Sequence, residues 1–341
     1  MIAASWPRPG SDDERLLHIE PASSTFRDAR VRDLPTLLRA GDLLVVNDAA
    51  TLPASLRGTA RSGAAVELRL ISRAKSGEWT ALVFGAGDWR IRTEDRELNP
   101  TLQWEGDRSE ELRFRGGLSA TVRKTSSRIV KVTFDQVGAA FWSALYRAGD
   151  PVQYAYIERP LSAWHVQTSY ASRPWAAEMP SAGRPLTWSL LLDLTRRGIR
   201  LAAITHAAGL SSTGEASLDA QLPLTERFDV PAATVTAVSE TKRAGGRVIA
   251  TGTTVVRALE GCAAINDGRL RAGEGETNLL LGPGFRLQVV NGLFTGMHEP
   301  TASHFALLQA FAPLDVLRRA YAFAERTGYL GHEFGDSNLI L

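Results

Sequence analysis

The sequence predicts an α/β fold in which a larger α/β domain carries an inserted antiparallel β-barrel domain. An apolar run bounded by turn-forming residues at positions 41–48 is typical of a strand buried on both faces. Short β-branched runs separated by glycine-containing turns follow it, as in a small barrel or sandwich. Helical and strand-like patterns alternate in the second half of the chain. We therefore expect a discontinuous catalytic α/β domain at residues 1–56 and 136–341, and an inserted barrel at residues 57–135.

The individual elements follow from local patterns. Residues 1–33 are charged and irregular. The predicted barrel strands occupy residues 66–71, 79–84, 118–122 and 129–134. The predicted elements of the α/β domain are strands at residues 41–48, 199–204 and 247–251, and helices at residues 189–197, 231–244, 253–264, 302–312 and 314–326. Glycines that follow the helices, such as Gly198 and Gly328, mark their carboxyl ends.

Composition excludes several classes of protein. The chain has 341 residues, of which 44% are hydrophobic and 22% charged, so wholesale disorder is excluded. A formal charge of +2 excludes a polybasic protein that coats nucleic acid. Cys262 is the single cysteine, so no intrachain disulfide can form, and no apolar run has the length of a membrane span. We expect a soluble, cytoplasmic protein without membrane contact.

One segment is locally basic. Residues 107–131 carry an excess of four positive charges over negative charges. Such a face on a sheet suits the phosphate backbone of RNA, and it is equally typical of a solvated strand surface. The sequence leaves both interpretations open.

The strongest local signal for a ligand site is a strand–turn–helix segment at residues 248–257. Gly252 allows a sharp turn, and Thr253 or Thr254 can cap the helix that follows. The free N–H groups at this helix start attract an anion or a carboxylate, and Arg257 lies one turn later, where it could bind the same group. An ordinary capped helix with Arg257 on its solvated face accounts for the same residues, so the spacing alone leaves both interpretations open.

Other candidate residues lie in loops. The small residues Ser181 and Gly183 form a loop that a ligand could approach closely, or a simple turn. His206 and His298 are candidate general acids or bases because imidazole titrates near neutral pH, although a lone histidine is more often structural. The histidines have no spacing typical of a metal site, and the chain has no P-loop, dinucleotide fingerprint or nucleophile elbow. We predict no metal site.

Several segments, taken in order, resemble one known family. They include Pro-Ser-Ala-Gly at residues 180–183 and Gly-Asp-Ser-Asn at residues 335–338. The full set lies at residues 41–48, 52–58, 156–160, 166–171, 180–183, 247–260, 277–285, 289–300 and 334–340. In this order and spacing they are similar to the S-adenosylmethionine:tRNA ribosyltransferase-isomerase family of queuosine biosynthesis. The resemblance covers most of the chain and implies an α/β fold with an inserted β-barrel.

The resemblance also implies a reaction. S-adenosylmethionine is the co-substrate, and its ribosyl group is moved onto 7-aminomethyl-7-deazaguanine in the anticodon region of a tRNA and isomerised. The products are epoxyqueuosine in tRNA, adenine and methionine. Together with the residue patterns, the resemblance predicts acid or base roles for His206, His298 and Glu226. It predicts substrate contacts from Asn47, Asp48, Tyr170, Ser181, Gly183, Gly252, Thr253, Thr254 and Arg257. We further expect a tRNA partner and a monomer.

The chain departs from the family in its loops. Arg184, Pro185 and Leu186 stand where the family usually has Leu-His-Phe, so one family histidine is absent. Residues 222–226 keep only Glu226 of a His-Met-His-Ser-Glu segment. These losses motivate two alternatives. One is a diverged relative that binds S-adenosylmethionine but acts on another acceptor, and the other is a non-catalytic binding protein on the same fold.

Overall fold

A computed structural model describes residues 1–10, 13–96, 109–300 and 302–341 of the chain. Within these residues the strands are β1 (Ile2–Ala3), β2 (Arg15–Glu20), β3 (Thr25–Arg30), β4 (Leu43–Asn47), β5 (Ala49–Thr51), β6 (Ser55–Ala60), β7 (Ala65–Arg73), β8 (Trp79–Phe84), β9 (Ser109–Phe114), β10 (Ser119–Lys124), β11 (Ile129–Phe134), β12 (Gly149–Asp150), β13 (Arg173–Ala176), β14 (Arg200–His206), β15 (Glu226–Val230), β16 (Val248–Thr251), β17 (Gly273–Thr277), β18 (Gly292–Gly296), β19 (Leu330–Gly331) and β20 (Ser337–Ile340). The α-helices are α1 (Leu34–Leu37), α2 (Gly138–Ala148), α3 (Trp188–Arg196), α4 (Ala216–Asp219), α5 (Ala232–Arg243), α6 (Thr253–Ala264), α7 (Ser303–Leu308) and α8 (Leu314–Arg326).

A nine-stranded mixed sheet forms the larger part of the fold. Its order is β17-β15-β14-β4-β16-β18-β20-β2-β3. The four neighbours β14, β4, β16 and β18 run parallel to one another. Their carboxyl ends therefore lie at the same edge of the sheet, which is where open α/β sheets bind ligands.

The alternation of side chains along β4 explains why this strand is central. Leu43 and Val45 belong to the core that α5, α6 and α8 cover. Leu44 and Val46 belong to the core on the other face, beneath α3. Successive strand residues point to opposite faces, so a sheet with helices on both faces needs an unbroken apolar strand. The predicted strand at residues 41–48 is this element.

A closed antiparallel β-barrel follows in the chain. Its strands run in the order β6-β7-β8-β11-β10-β9, and β9 pairs with β6 to close it. At the closure Gly58 faces Phe114, and a Cβ on Gly58 would lie 2.1 Å from the carbonyl oxygen of Arg113. Glycine is therefore required where β6 and β9 meet. The predicted fold class, an α/β domain with an inserted barrel, is confirmed.

The structure also contains elements that the local patterns did not predict. Residues 1–33 are not irregular, because β2 and β3 extend the large sheet at its edge. The barrel strands β6 and β9 and helix α2 were likewise not predicted. Phe141 and Leu145 of α2 pack into the barrel core, although they follow residue 135. The domain boundaries at residues 57 and 135 therefore stay a prediction. In the described part of the chain, no helix has the length and apolar character needed to cross a membrane.

Candidate functional site

A cavity of about 830 Å³ opens at the carboxyl ends of the parallel strands, between the sheet and the barrel. Its walls include the segments that follow β14, β16 and β18, and residues 92–94 of the barrel. The predicted site residues among its lining are Ser181, Glu226, Gly252, Thr253, Thr254, Arg257 and His298. Residues from distant parts of the sequence therefore converge on one space, whose volume is typical of a small-molecule site.

The start of α6 forms one wall of the cavity. Gly252 has φ of 85°, a left-handed backbone conformation that favours glycine, and its position lets the chain turn from β16 directly into α6. Thr253 is the first residue of the helix. Thr251, just before the turn, is 2% exposed, and its hydroxyl has no hydrogen-bond partner among the described residues.

Glu226 joins two other predicted residues beside this helix. Its Oε2 lies 3.0 Å from Nη2 of Arg257 and 3.3 Å from Nε2 of His206, and its Oε1 accepts a hydrogen bond of 3.0 Å from the Gly209 backbone. Arg257 is thus not on a solvated face: it is 5% exposed, and its charge is balanced by Glu226. His206 is fully buried behind Glu226 and is not part of the cavity lining. It acts on the cavity only through the carboxylate.

Two stacked imidazoles complete this side of the cavity. The rings of His298 and His304 lie 5.3 Å apart between centroids at an angle of 18°. Nε2 of His298 is 2.9 Å from the Thr295 hydroxyl, which fixes the orientation of the ring. Both rings line the cavity. We call His206, Glu226, Arg257, His298 and His304 the histidine cluster.

Burial sets the protonation states of the histidine cluster. Burial, assisted by the Arg257 charge, lowers the pKa of His206 to about 3. Burial and the neighbouring His304 lower the pKa of His298 to about 3 as well. Burial raises the pKa of Glu226, while Arg257 acts in the opposite direction. At neutral pH the imidazoles are therefore neutral and weakly basic, so their ring N–H groups are suited to donating hydrogen bonds.

Four predicted substrate-binding residues lie behind the cavity walls. Asn47 donates to the His206 carbonyl oxygen at 3.1 Å and to the Thr254 hydroxyl at 3.3 Å, so it ties the ends of β4 and β14 to α6. Asp48 accepts a hydrogen bond of 2.6 Å from the Thr205 hydroxyl. A Cβ on Gly183 would lie 2.0 Å from the Tyr170 hydroxyl oxygen, so this glycine leaves room for the tyrosine. Substrate contacts by Asn47, Asp48, Tyr170 and Gly183 stay a prediction.

A second group of polar residues lines the same cavity, and the sequence patterns did not indicate it. Glu178 accepts a hydrogen bond of 2.9 Å from the Ser211 backbone, and also bonds from the hydroxyls of Ser211 and Tyr154. Glu333 is hydrogen-bonded to Tyr156, whose ring is stacked on that of Tyr154 at 11° between planes. We call Tyr154, Tyr156, Glu178, Ser211 and Glu333 the carboxylate cluster.

Burial also dominates the carboxylate cluster. Burial raises the pKa of Glu333, and the nearby Glu178 raises it further. Burial likewise raises the pKa of Glu178, although its three hydrogen-bond donors oppose the shift. The cluster lies beside segments that carried the family resemblance, since Tyr156 and Phe334 begin two of them. That adjacency was the signal available in the sequence.

The histidines do not gather into a metal centre. Within residues 1–10, 13–96, 109–300 and 302–341, no group of three or more His, Cys, Asp or Glu side chains is arranged to hold a metal ion. His332, the remaining imidazole of the cavity, is 3.0 Å from Glu299 through Nε2. The basic segment at residues 107–131 lies on β9, β10 and β11 of the barrel, except that residues 107 and 108 fall outside the described part.

Comparisons with known sequences match along the whole chain. A family model described as a queuosine biosynthesis protein matches residues 1–340. The S-adenosylmethionine:tRNA ribosyltransferase-isomerase of Gluconacetobacter diazotrophicus is 36% identical over 351 residues, covering 99% of this chain and 93% of the relative. The protein of the same name from Synechococcus elongatus is 37% identical over 346 residues, covering 100% of this chain and 92% of the relative.

A solved structure agrees with these sequence matches. The crystal structure of the S-adenosylmethionine tRNA ribosyltransferase from Thermotoga maritima superposes with a TM-score of 0.54 at 26% sequence identity. The match covers 100% of this chain and 96% of that one. The resemblance drawn from the short sequence segments is confirmed.

Proposed function

The chain belongs to the queuosine biosynthesis family, and from this premise we propose that it is an S-adenosylmethionine:tRNA ribosyltransferase-isomerase. It transfers and isomerises the ribosyl group of S-adenosylmethionine onto 7-aminomethyl-7-deazaguanine in tRNA, giving epoxyqueuosine with release of adenine and methionine. The observation that carries this assignment is the convergence of Glu226, Arg257 and His298 on one cavity at the sheet edge. Relatives that share one name at 34–37% identity do not favour a diverged acceptor or a non-catalytic protein.

The chemistry assigns distinct tasks to the histidine cluster. The sulfonium of S-adenosylmethionine acidifies the hydrogen on its C5′ carbon, and a base must remove that hydrogen before adenine leaves. Glu226 is the best placed base, because it reaches the cavity and burial raises its pKa above that of a surface carboxylate. His298, held neutral, donates a hydrogen bond to the departing adenine. His206 is a positioning residue that contacts Glu226.

The start of α6 is suited to the anionic end of S-adenosylmethionine. Thr253 and Thr254 present the free N–H groups of the first helical turn to the cavity, where a carboxylate is favoured. The hydroxyl of Thr251 offers a further donor that no described residue occupies. Ser181 shapes the adjoining wall. The proposal further includes a tRNA substrate that binds through its anticodon region. It also includes a monomeric protein that acts in the cytoplasm.

Adenine release tests the proposed function. Purified protein is incubated with S-adenosylmethionine and with tRNA that carries the 7-aminomethyl-7-deazaguanine precursor. We expect adenine and methionine to be released in equal amounts with the modified nucleoside, and a reaction without tRNA is the control. No adenine and no modified nucleoside at high protein concentration would contradict the assignment. Release of adenine with another amine acceptor but not with the tRNA would identify a diverged relative.

A further inference from the structure

The two carboxylates of the carboxylate cluster have no ion-pair partner among the described residues, and this inference rests on the proposed function. Glu178 is 9% exposed, and its direct partners are two hydroxyls and one backbone N–H. Glu333 is bonded to Tyr156 and lines the same cavity. Neither carboxylate has a Lys, Arg or His side chain within ion-pair distance in the residues that the structure describes, although Arg69, which is paired with Glu67, acts on Glu178 from farther away and lowers its pKa. Buried carboxylates are costly when no cation compensates them.

Most other buried acids of the fold have an arginine partner, and Glu260 is instead held by the backbone N–H groups of residues 288–290. Glu226, another carboxylate that lines the cavity, has Arg257 at 3.0 Å. Away from the cavity the ion pairs of buried acids are Glu14 with Arg184, Asp42 with Arg247, Glu67 with Arg69 and Arg96, and Asp336 with Arg8. Glu178 and Glu333 have no ion-pair partner among the described residues, and both line the cavity, where a cationic ligand can reach them.

A separate observation, the presence of unpartnered polar groups in the cavity wall, is consistent with a bound ligand. The Thr251 hydroxyl is buried in the cavity wall without a partner among the described residues. Nε of Arg257 is likewise buried and has no hydrogen-bond partner in that part of the chain. An unpartnered buried polar group is costly, and a molecule bound in the cavity would satisfy both of these groups. Both groups lie at the α6 end of the cavity. A molecule that satisfies them would therefore leave the carboxylate cluster available for a cation.

We propose that Glu178 and Glu333 bind the aminomethyl cation of the acceptor base, and that Glu178 takes the proton that this amine must lose. Three cations enter the cavity in the proposed reaction: the ammonium of the acceptor, and the sulfonium and α-ammonium of S-adenosylmethionine. The α-ammonium is next to the carboxylate that the start of α6 favours, and it leaves with methionine, so the acceptor ammonium is the one that must lose a proton. A carboxyl pair whose burial favours the protonated form suits a group that exchanges a proton better than a permanent cation.

The proton transfer balances in charge. Three donors contact Glu178 and one contacts Glu333, so the pair carries its single negative charge on Glu178 and its proton on Glu333. An N–H bond of the ammonium breaks, its electron pair stays on nitrogen, and the proton forms an O–H bond on Glu178. A positive amine and a negative pair become a neutral amine and a neutral pair. Burial favours this direction, and the free amine can then attack carbon.

Binding of two RNAs tests the inference without requiring turnover. One anticodon stem-loop carries 7-aminomethyl-7-deazaguanine, and the other carries 7-cyano-7-deazaguanine, in which a neutral nitrile replaces the cationic arm. Fluorescence anisotropy measures the Kd of each for wild type, Glu178→Gln, Glu333→Gln and Glu240→Gln. The last variant removes a surface carboxylate that is paired with Arg200 and serves as the matched control. Calorimetry measures the affinity for S-adenosylmethionine in each protein.

The expected results separate this inference from the proposed function. Wild type and Glu240→Gln bind the aminomethyl RNA roughly tenfold more tightly than the nitrile RNA, and Glu178→Gln loses that preference. Glu333→Gln also weakens the preference and covers the case in which Glu178→Gln fails to fold. S-adenosylmethionine affinity stays within about threefold in both variants. An unchanged preference, or a selective loss of S-adenosylmethionine binding, would overturn the inference. If wild type shows the preference but no adenine release, the proposed function fails and the amine site stands.

Discussion

The histidine cluster and the carboxylate cluster share one cavity but balance their charges in different ways. In the first, Glu226 is 3.0 Å from the Arg257 guanidinium, so the protein itself supplies the counter-ion. In the second, Glu178 and Glu333 receive hydrogen bonds from hydroxyl groups and have no ion-pair partner among the described residues. The first cluster thus contains its own counter-ion, whereas in our proposal the second receives its counter-ion when the cationic acceptor binds. The predictions below test this difference.

The largest effect is expected from Glu226→Gln, which removes the proposed base while keeping the shape of the side chain. We expect adenine release to fall by about 100- to 10,000-fold, as is typical when a general base is lost. The affinity for the aminomethyl RNA should remain unchanged, because that affinity belongs to the carboxylate cluster. Adenine chromatography and the anisotropy assay measure the two quantities. A variant with near-normal adenine release would remove Glu226 from the role of base.

Arg257→Met tests the claim that the histidine cluster is internally balanced. The substitution leaves the buried Glu226 without its cation, and breaking a buried pair in this way costs about 3–5 kcal/mol of unfolding free energy. The double variant Arg257→Met/Glu226→Gln removes both charges and should recover most of that loss. Urea denaturation of wild type, Arg257→Met, Glu226→Gln and the double variant measures the coupling. If the double variant is as unstable as Arg257→Met, the loss comes from packing and not from an unpaired charge.

The buried imidazoles of the histidine cluster should make the protein less stable in acid. The pKa of His304 is lowered to about 4 by burial and by Arg257, while an unfolded histidine titrates near its ordinary value of 6.5. Its neutral form thus contributes stability fully above pH 6.5, and that contribution is lost as the pH falls from 6.5 toward 4. His304→Phe keeps an aromatic ring and removes the titration. Between pH 8 and pH 5 the variant should lose about 1–2 kcal/mol less unfolding free energy than wild type.

Glu333→Gln should show the opposite dependence on pH. A carboxyl whose pKa is raised on folding stabilises the native state below its unfolded value, and this contribution is lost as the pH rises through the folded value. The unfolding free energy of the variant is therefore expected to exceed that of wild type by about 1 kcal/mol at pH 8 and to equal it at pH 4. Urea denaturation at the two pH values measures it. If the unfolding free energies of the variant and wild type differ by the same amount at both pH values, Glu333 is not held protonated by burial.

The smallest effect is expected from Thr251→Val, which tests whether the buried hydroxyl binds the ligand and does not stabilise the fold. A hydroxyl without a partner contributes no favourable hydrogen bond, so its removal should leave the unfolding free energy within about 1 kcal/mol of wild type. S-adenosylmethionine affinity should fall several-fold. Urea denaturation measures the unfolding free energy, and calorimetry measures the affinity for S-adenosylmethionine. A clear loss of stability with unchanged affinity would show that the hydroxyl serves the fold.

The histidine cluster could be predicted in part because its residues stand at the ends of regular elements. The predicted bounds of α6 at residues 253–264 match the structure, since a strand pattern, Gly252 and two threonines mark its start. His298 follows β18 closely. The pairing of Arg257 with Glu226 joins residues 31 positions apart on different elements, and no local pattern indicates such a contact. The solvated position considered for Arg257 was wrong for this reason.

The carboxylate cluster could not be predicted because its acids lie in irregular loops. Glu178 follows β13 and Glu333 follows β19, with no periodic pattern around either. The role proposed for these two acids depends on the lack of an ion-pair partner among the described residues, which only a folded structure can show. The same limit applies at the amino terminus, where β2 and β3 form by pairing with the carboxyl-terminal strand β20 and with each other. Long-range pairing, more than local propensity, makes residues 15–30 strands.

A crystal structure with bound S-adenosylmethionine tests the central claim most directly. The account predicts the adenosyl-sulfonium in the cavity of about 830 Å³, with its C5′ carbon facing Glu226 and its carboxylate at the start of α6. Glu178 and Glu333 should then remain free for the acceptor amine. A ligand bound outside this cavity, or a sulfonium seated against Glu178, would contradict the division of the reaction between the two clusters.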